Sequence, residues 1–81
     1  MTKFYFHLRM GDEIIPDEEG QDLPDQSAAR QEALLAAREM LANAVKAGKT
    51  EVPEAFIITD EHRRAVATIP LFTALPKSLR A

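Results

Sequence analysis

Seven carboxylates stand between Asp12 and Asp25 with no lysine or arginine among them: Asp12, Glu13, Asp17, Glu18, Glu19, Asp22 and Asp25. Oxygens at this density are the raw material for binding a hard cation such as calcium or magnesium, and Asp17, Glu18, Glu19 and Asp22 are the candidate ligands. The spacing does not follow an EF-hand loop, which needs donors at alternate positions, a central glycine and a closing glutamate. Turn and cap chemistry accounts for the same acids: Asp17 and Glu18 open a turn, Gly20 bends it, and Asp25 caps a helix. The sequence favours this second reading, and no metal or cofactor is expected. His7 and His62 are the only imidazoles. Two such rings can share a transition metal or pass a proton, but one falls on a strand and the other in a turn, and nothing in the sequence joins them.

Other chemistries find less support. His62, Arg63 and Arg64 form a basic turn, and Tyr5 with His7 would offer stacking surfaces for a nucleic acid. The net charge of −3 and the acidic loop argue against it, because proteins that grip phosphate backbones carry the opposite balance. Neither Ser27 nor Ser78 lies in a Gly-x-Ser-x-Gly elbow. A carboxyl that acts as a general acid needs a dry pocket to raise its pKa, and a loop this charged is wet. The three glycines, Gly11, Gly20 and Gly48, are far apart and make no phosphate cradle. The expectation is a protein without enzymatic activity.

The elements that must carry these residues follow from periodicity. Residues 3–9 alternate, with Phe4, Phe6 and Leu8 on one face and Tyr5, His7 and Arg9 on the other, so they form a strand. Gly11-Asp12 is a turn, residues 13–15 return as a short second strand, and Pro16 stops it. Residues 17–25 read as a polar loop. A helix is predicted over residues 26–47, capped by Asp25 with Ser27 as its rival and ended by Gly48. Leu34, Ala37, Leu41, Ala44 and Val45 fall on one stripe, which Ala29, Ala33 and Met40 widen. Residues 55–59 and 64–71 form a second hairpin, with His62 placed where a left-handed backbone is wanted. The predicted fold is α+β, β-β-α-β-β: a four-stranded antiparallel sheet of order 2-1-3-4 with one helix on one face. Its core is Phe4, Phe6, Leu8, Leu34, Ala37, Leu41, Val45, Phe56, Ile58, Ile69 and Leu71. Residues 1–72 make one domain and residues 73–81 an extended tail.

Composition sets the outer limits. The chain has 81 residues, 46% of them apolar and 28% charged, and no cysteine, which excludes disulfide, zinc-ribbon and thiol chemistry. A chain this short removes only about 60% of its unfolded surface from water, too little to wall a deep cavity. No apolar run approaches the roughly 18 residues of a membrane span, and no basic-then-apolar leader opens the sequence, so a cytoplasmic protein without a membrane partner is expected. Charge is polarised: the acids cluster early, whereas Arg63, Arg64, Lys77 and Arg80 follow His62 with no acid among them. Such a split can steer a partner or a second copy of the chain.

One helix covers one face of a sheet, so the other face should be polar. Tyr5, Ile57 and Val66 fall opposite the expected core, beside His7, and Leu35 stands among the polar residues of the helix. These five are the candidate interface residues. They point to protein–protein contact, first of all homodimerisation through the outer face or an exposed edge strand.

The strand Phe4-Tyr5-Phe6-His7-Leu8-Arg9, the Gly11-Asp12 turn, the Asp17-Glu18-Glu19-Gly20 loop and the Leu23-Pro24-Asp25 helix start resemble a family of small bacterial proteins, found mainly in alphaproteobacteria of the rhizobial kind, that carry a domain of unknown function. The resemblance reaches to about Leu71 and implies a stand-alone cytoplasmic domain; it brings no activity, cofactor or catalytic residue. Met10 stands where an acid is common in that family, and His62-Arg63 replaces the acid-glycine end of its second hairpin turn.

Overall fold

Alternation in the first strand does what it predicts. The computed structural model describes residues 1–80, and its central strand is β1 (Thr2–Met10). Around it lie β2 (Glu13–Ile15), β3 (Gln21–Leu23), β4 (Ala55–Thr59) and β5 (Ala65–Pro70), with helix α1 (Gln26–Ala47) between β3 and β4. The sheet runs β2-β1-β4-β5, all antiparallel, the order expected for the two hairpins. It has five strands and not four. β3 pairs with the first part of β1, Thr2 opposite Leu23 and Phe4 opposite Gln21, on the edge that β2 occupies further along. Gln-Asp-Leu carries no apolar alternation, so nothing in its composition separates it from a loop; the exposed polar edge of β1 recruits it.

The helix has the predicted bounds and caps. Asp25 Oδ1 accepts the Ala28 N–H at 2.9 Å. Gly48 sits at φ 68°, and the N–H groups of Gly48 and Lys49 return to the Val45 and Ala44 carbonyls, a Schellman ending. The buried stripe, however, is Ala29, Ala33, Ala37 and Ala44. Side chains without γ atoms let the helix lie close on Phe4, Phe56, Ile58 and Ile69, so the helix turns its alanine flank inward. Leu34, Met40 and Leu41 pack at the sides. Val45, expected in the core, lies beyond the stripe and is 81% exposed.

In β5 the register shifts at Ile58/Thr59: Ile58 faces Ala67 but Thr59 faces Ala65. Val66 is the extra residue of this bulge. The bulge resolves the conflict in phase along the strand, since Val66 now packs against the same core cluster as Ile69. Positive φ in the preceding turn falls on Arg63 (64°), not on His62. Beyond β5 the chain is not extended: it makes 3₁₀ turns at Leu71–Ala74 and Lys77–Leu79. The Thr73 hydroxyl donates to the Pro70 carbonyl at 2.6 Å, and Leu71, 1% exposed, closes the end of the core.

Candidate functional site

Because β2 and β3 share one edge of β1, that edge has a gap opposite Phe6. The Phe6 N–H points into it without a strand partner, and Asp17 fills it. Asp17 Oδ2 accepts the Phe6 N–H at 3.0 Å, and Oδ1 accepts the N–H groups of Glu19 (3.1 Å) and Gly20 (3.3 Å). Burial pushes the Asp17 carboxyl up. The hydrogen bonds from Phe6, Gly20 and Glu19, together with the neighbouring His7 ring, outweigh it and hold the group below the ordinary aspartate value. A side-chain carboxylate thus stands in for the missing rung of the ladder.

The Asp17 backbone reaches the outer face of the sheet. Its N–H donates to His7 Nδ1 at 3.0 Å, and His7 Nε2 lies 2.9 Å from Thr59 Oγ1. A backbone N–H can only donate, so Nδ1 is the acceptor and the neutral ring carries its proton on Nε2. The aspartate, histidine and threonine look like a nucleophilic triad but are wired in the opposite sense: Nε2–H donates a hydrogen bond to Thr59 Oγ1 and does not accept one from it. Tyr5 stacks beside His7, with ring centroids 6.3 Å apart and planes 8° from parallel. Gly20 closes against the Tyr5 ring, where a Cβ would come within 2.9 Å of Cε2.

The basic turn is built in the same way. Asp60 Oδ1 accepts the N–H groups of His62 (2.8 Å) and Arg64 (3.0 Å), and Oδ2 pairs with Arg64 Nε at 3.4 Å. The Arg64 hydrogen bond, helped by that of His62 and by both neighbouring side chains against a smaller opposing effect of burial, lowers the Asp60 pKa. An open depression lies between the two loops, with Tyr5, His7 and Thr59 on its floor and Glu18, Glu61 and Arg63 on its rim. Two acids share that rim with Arg63, and Arg64 is paired, which leaves little positive field for a phosphate backbone. Asp17 spends both oxygens on backbone donors. Among the described residues no group of three or more His, Asp or Glu side chains is placed to hold a metal ion.

Of the five candidate interface residues, Tyr5, His7 and Ile57 come together, half-buried, on the outer face, where Ile57 is the register partner of His7. Val66 lies in the bulge against the core, and Leu35 is 52% exposed on the helix, away from them. The larger apolar exposure lies elsewhere. Met10, Ile14, Ile15, Val52 and Phe72 are exposed at the end of the sheet where the β1–β2 turn, the linker after α1 and the first 3₁₀ turn meet. Here an open groove of about 510 Å³ is lined by Leu41, Val52, Pro53, Leu71, Phe72 and Leu75, with Arg9 and Glu54 at its rim. A signal for it existed. Ile14 and Ile15 are adjacent in a three-residue strand, so one must face away from the helix, and Phe72 follows the last strand with no partner element in sequence.

Residues 3–73 match the family model of a domain of unknown function, DUF6894, and the chain belongs to that family. No curated protein and no solved structure matches it. Among the described residues no helix is long and apolar enough to cross a membrane.

Proposed function

We propose that this member of the DUF6894 family is a non-enzymatic cytoplasmic protein that acts through protein–protein contact, self-associates as a homodimer and serves a regulatory or accessory role. The observation that carries this reading is the apolar groove, where exposed Val52 and Phe72 stand beside Leu41, Pro53 and Leu75 at the end of the sheet that also exposes Met10, Ile14 and Ile15. Each large apolar side chain left in water forgoes about 1.5–3 kcal/mol of burial. A groove lined by apolar side chains offers a partner more than scattered single residues do. The wiring of His7 supports the absence of catalysis: both ring nitrogens are committed, and the Thr59 hydroxyl accepts a hydrogen bond from the ring. Light scattering over rising concentration tests the reading. A mass of twice the 9.0 kDa chain is expected; a mass that stays at 9.0 kDa at every concentration removes the homodimer.

A further inference from the structure

Resting on that self-association, we infer that the groove end is a twofold face, on which a second copy of this chain docks with Phe72 of each copy in the groove of the other and Arg9 of each against Glu54 of the other.

Three observations support this geometry. First, the groove is ready to be dried. The Glu54 N–H is bonded to the Arg9 carbonyl, the Leu71 N–H to the Glu54 carbonyl and the Leu75 N–H to the Phe72 carbonyl, while Pro53 and Pro70 have no N–H to satisfy. Covering the groove therefore strands none of these three backbone donors, which lowers the cost that opposes burial of backbone.

Second, Phe72 is an anchor without a socket. It projects from a 3₁₀ turn at 56% exposure beside an apolar cleft in its own chain. Aromatic side chains that enter apolar pockets at the centre of an interface contribute most of its energy.

Third, the rim is its own electrostatic complement. Arg9, on β1, and Glu54, just before β4, are joined by a backbone hydrogen bond, and neither has an ion-pair partner: Arg64 with Asp60 is the single salt bridge among the described residues. A patch that carries one positive and one negative group meets its opposite when it is rotated by a twofold axis, the defining property of an isologous contact. A partner of one charge sign would match only half of it.

The test uses the full chain in sedimentation equilibrium, with melting curves to confirm that each variant is folded. Arg9→Glu and Glu54→Arg each place like charges opposite one another, so each should raise the dimer dissociation constant at least about tenfold. An equal mixture of the two variants should recover dimers, and native mass spectrometry should show them to be heterodimers, because both cross-pairs are then restored. Phe72→Asp should be monomeric and melt as the wild type does at concentrations low enough that both are monomeric. If the wild type is dimeric and these variants remain equally dimeric, the face assigned here is wrong while self-association stands. If the wild type is monomeric throughout, self-association itself fails and this face falls with it. Dimers lost in both charge variants but not recovered on mixing would also overturn the Arg9–Glu54 pairing.

Discussion

The two ends of the sheet handle exposed side chains in opposite ways. At the loop end the chain is crowded with charge, yet the central groups there face inward: Asp17 and Asp60 each bend a loop around backbone N–H groups, five in all. At the groove end the Glu54, Leu71 and Leu75 N–H groups are bonded to backbone carbonyls, but the side chains are apolar and uncovered. Density of chemistry-bearing residues is therefore a poor guide to a site in this molecule. The central carboxylate of the acidic loop, Asp17, holds a turn together, whereas residues with no chemistry of their own line the groove.

The comparison breaks most readily at Asp17. Asp17→Ala removes the acceptor of three N–H groups, and that of Phe6, part-buried in the gap of the β1 edge, has no strand partner to turn to. Losing a charged acceptor and leaving a donor unsatisfied costs about 2 kcal/mol, which for a domain of this size lowers Tm by roughly 8–16 °C. Asp60→Ala, whose bonds are local to one exposed turn, should lower Tm less. Thermal melts of the two variants side by side check this; equal losses would mean that the gap in the β1 edge is no more demanding than an ordinary turn.

The next effect is at Gly20. At φ +71° an alanine there carries the left-handed penalty of about 1–2 kcal/mol, and its Cβ would also press on Tyr5 Cε2 and Lys3 Cγ at 2.9 Å. Gly48, at φ +68° with nothing within 4 Å of a Cβ, carries the backbone penalty alone. Gly20→Ala should therefore destabilise more than Gly48→Ala in denaturant titrations, and the excess should shrink in Lys3→Ala only slightly, because the tyrosine ring is the stiffer obstacle.

Much of this was legible from the residues. Strict alternation in Phe4-Tyr5-Phe6-His7-Leu8, the Asp25 and Gly48 caps and the β-branched run at 55–59 each have one local solution, and those elements and their order match the structure. What was not legible depends on pairing. β3 exists because β1 offers an open edge, not because Gln21-Asp22-Leu23 prefers a strand. The inward face of α1 depends on how near the sheet can come, so alanines displaced Val45 from the core. Val66 changed face through a one-residue bulge that no period in the sequence announces. The role of Asp17 could be read only as a turn residue, because the N–H it satisfies lies eleven residues away in a neighbouring strand.

Acid should reveal the loop end before the groove end. The Asp17 and Asp60 carboxyls are both held below their ordinary values in the folded chain. A depressed folded pKa contributes stability that is present above the unfolded value, about 3.9 for aspartate, and is lost as pH falls through the folded one. Stability should thus be level from neutral pH down to about 4 with respect to these groups and decline below it. Asp17→Asn, which keeps the shape but cannot ionise, should be less stable than wild type at neutral pH and should decline less steeply in acid. A wild-type acid limb unchanged in Asp17→Asn would show that the carboxylate does not support the fold through its charge.

The smallest effect expected on the fold itself is at the groove end, and its smallness is what distinguishes the two regions. Ile14 pairs with Arg9 in a short edge strand and is 49% exposed. Replacing it by lysine removes no backbone bond and leaves no cavity, so the stability of the isolated chain should change by no more than about 0.5 kcal/mol. Urea titrations of Ile14→Lys at concentrations low enough to keep the chain monomeric isolate that term. If Ile14→Lys unfolds as readily as Asp17→Ala, then Ile14 supports the sheet edge, and the exposed apolar end must be counted as part of the fold. If it leaves the monomer untouched while weakening self-association at higher concentration, the end that chemistry overlooks is the one the chain presents to its partner.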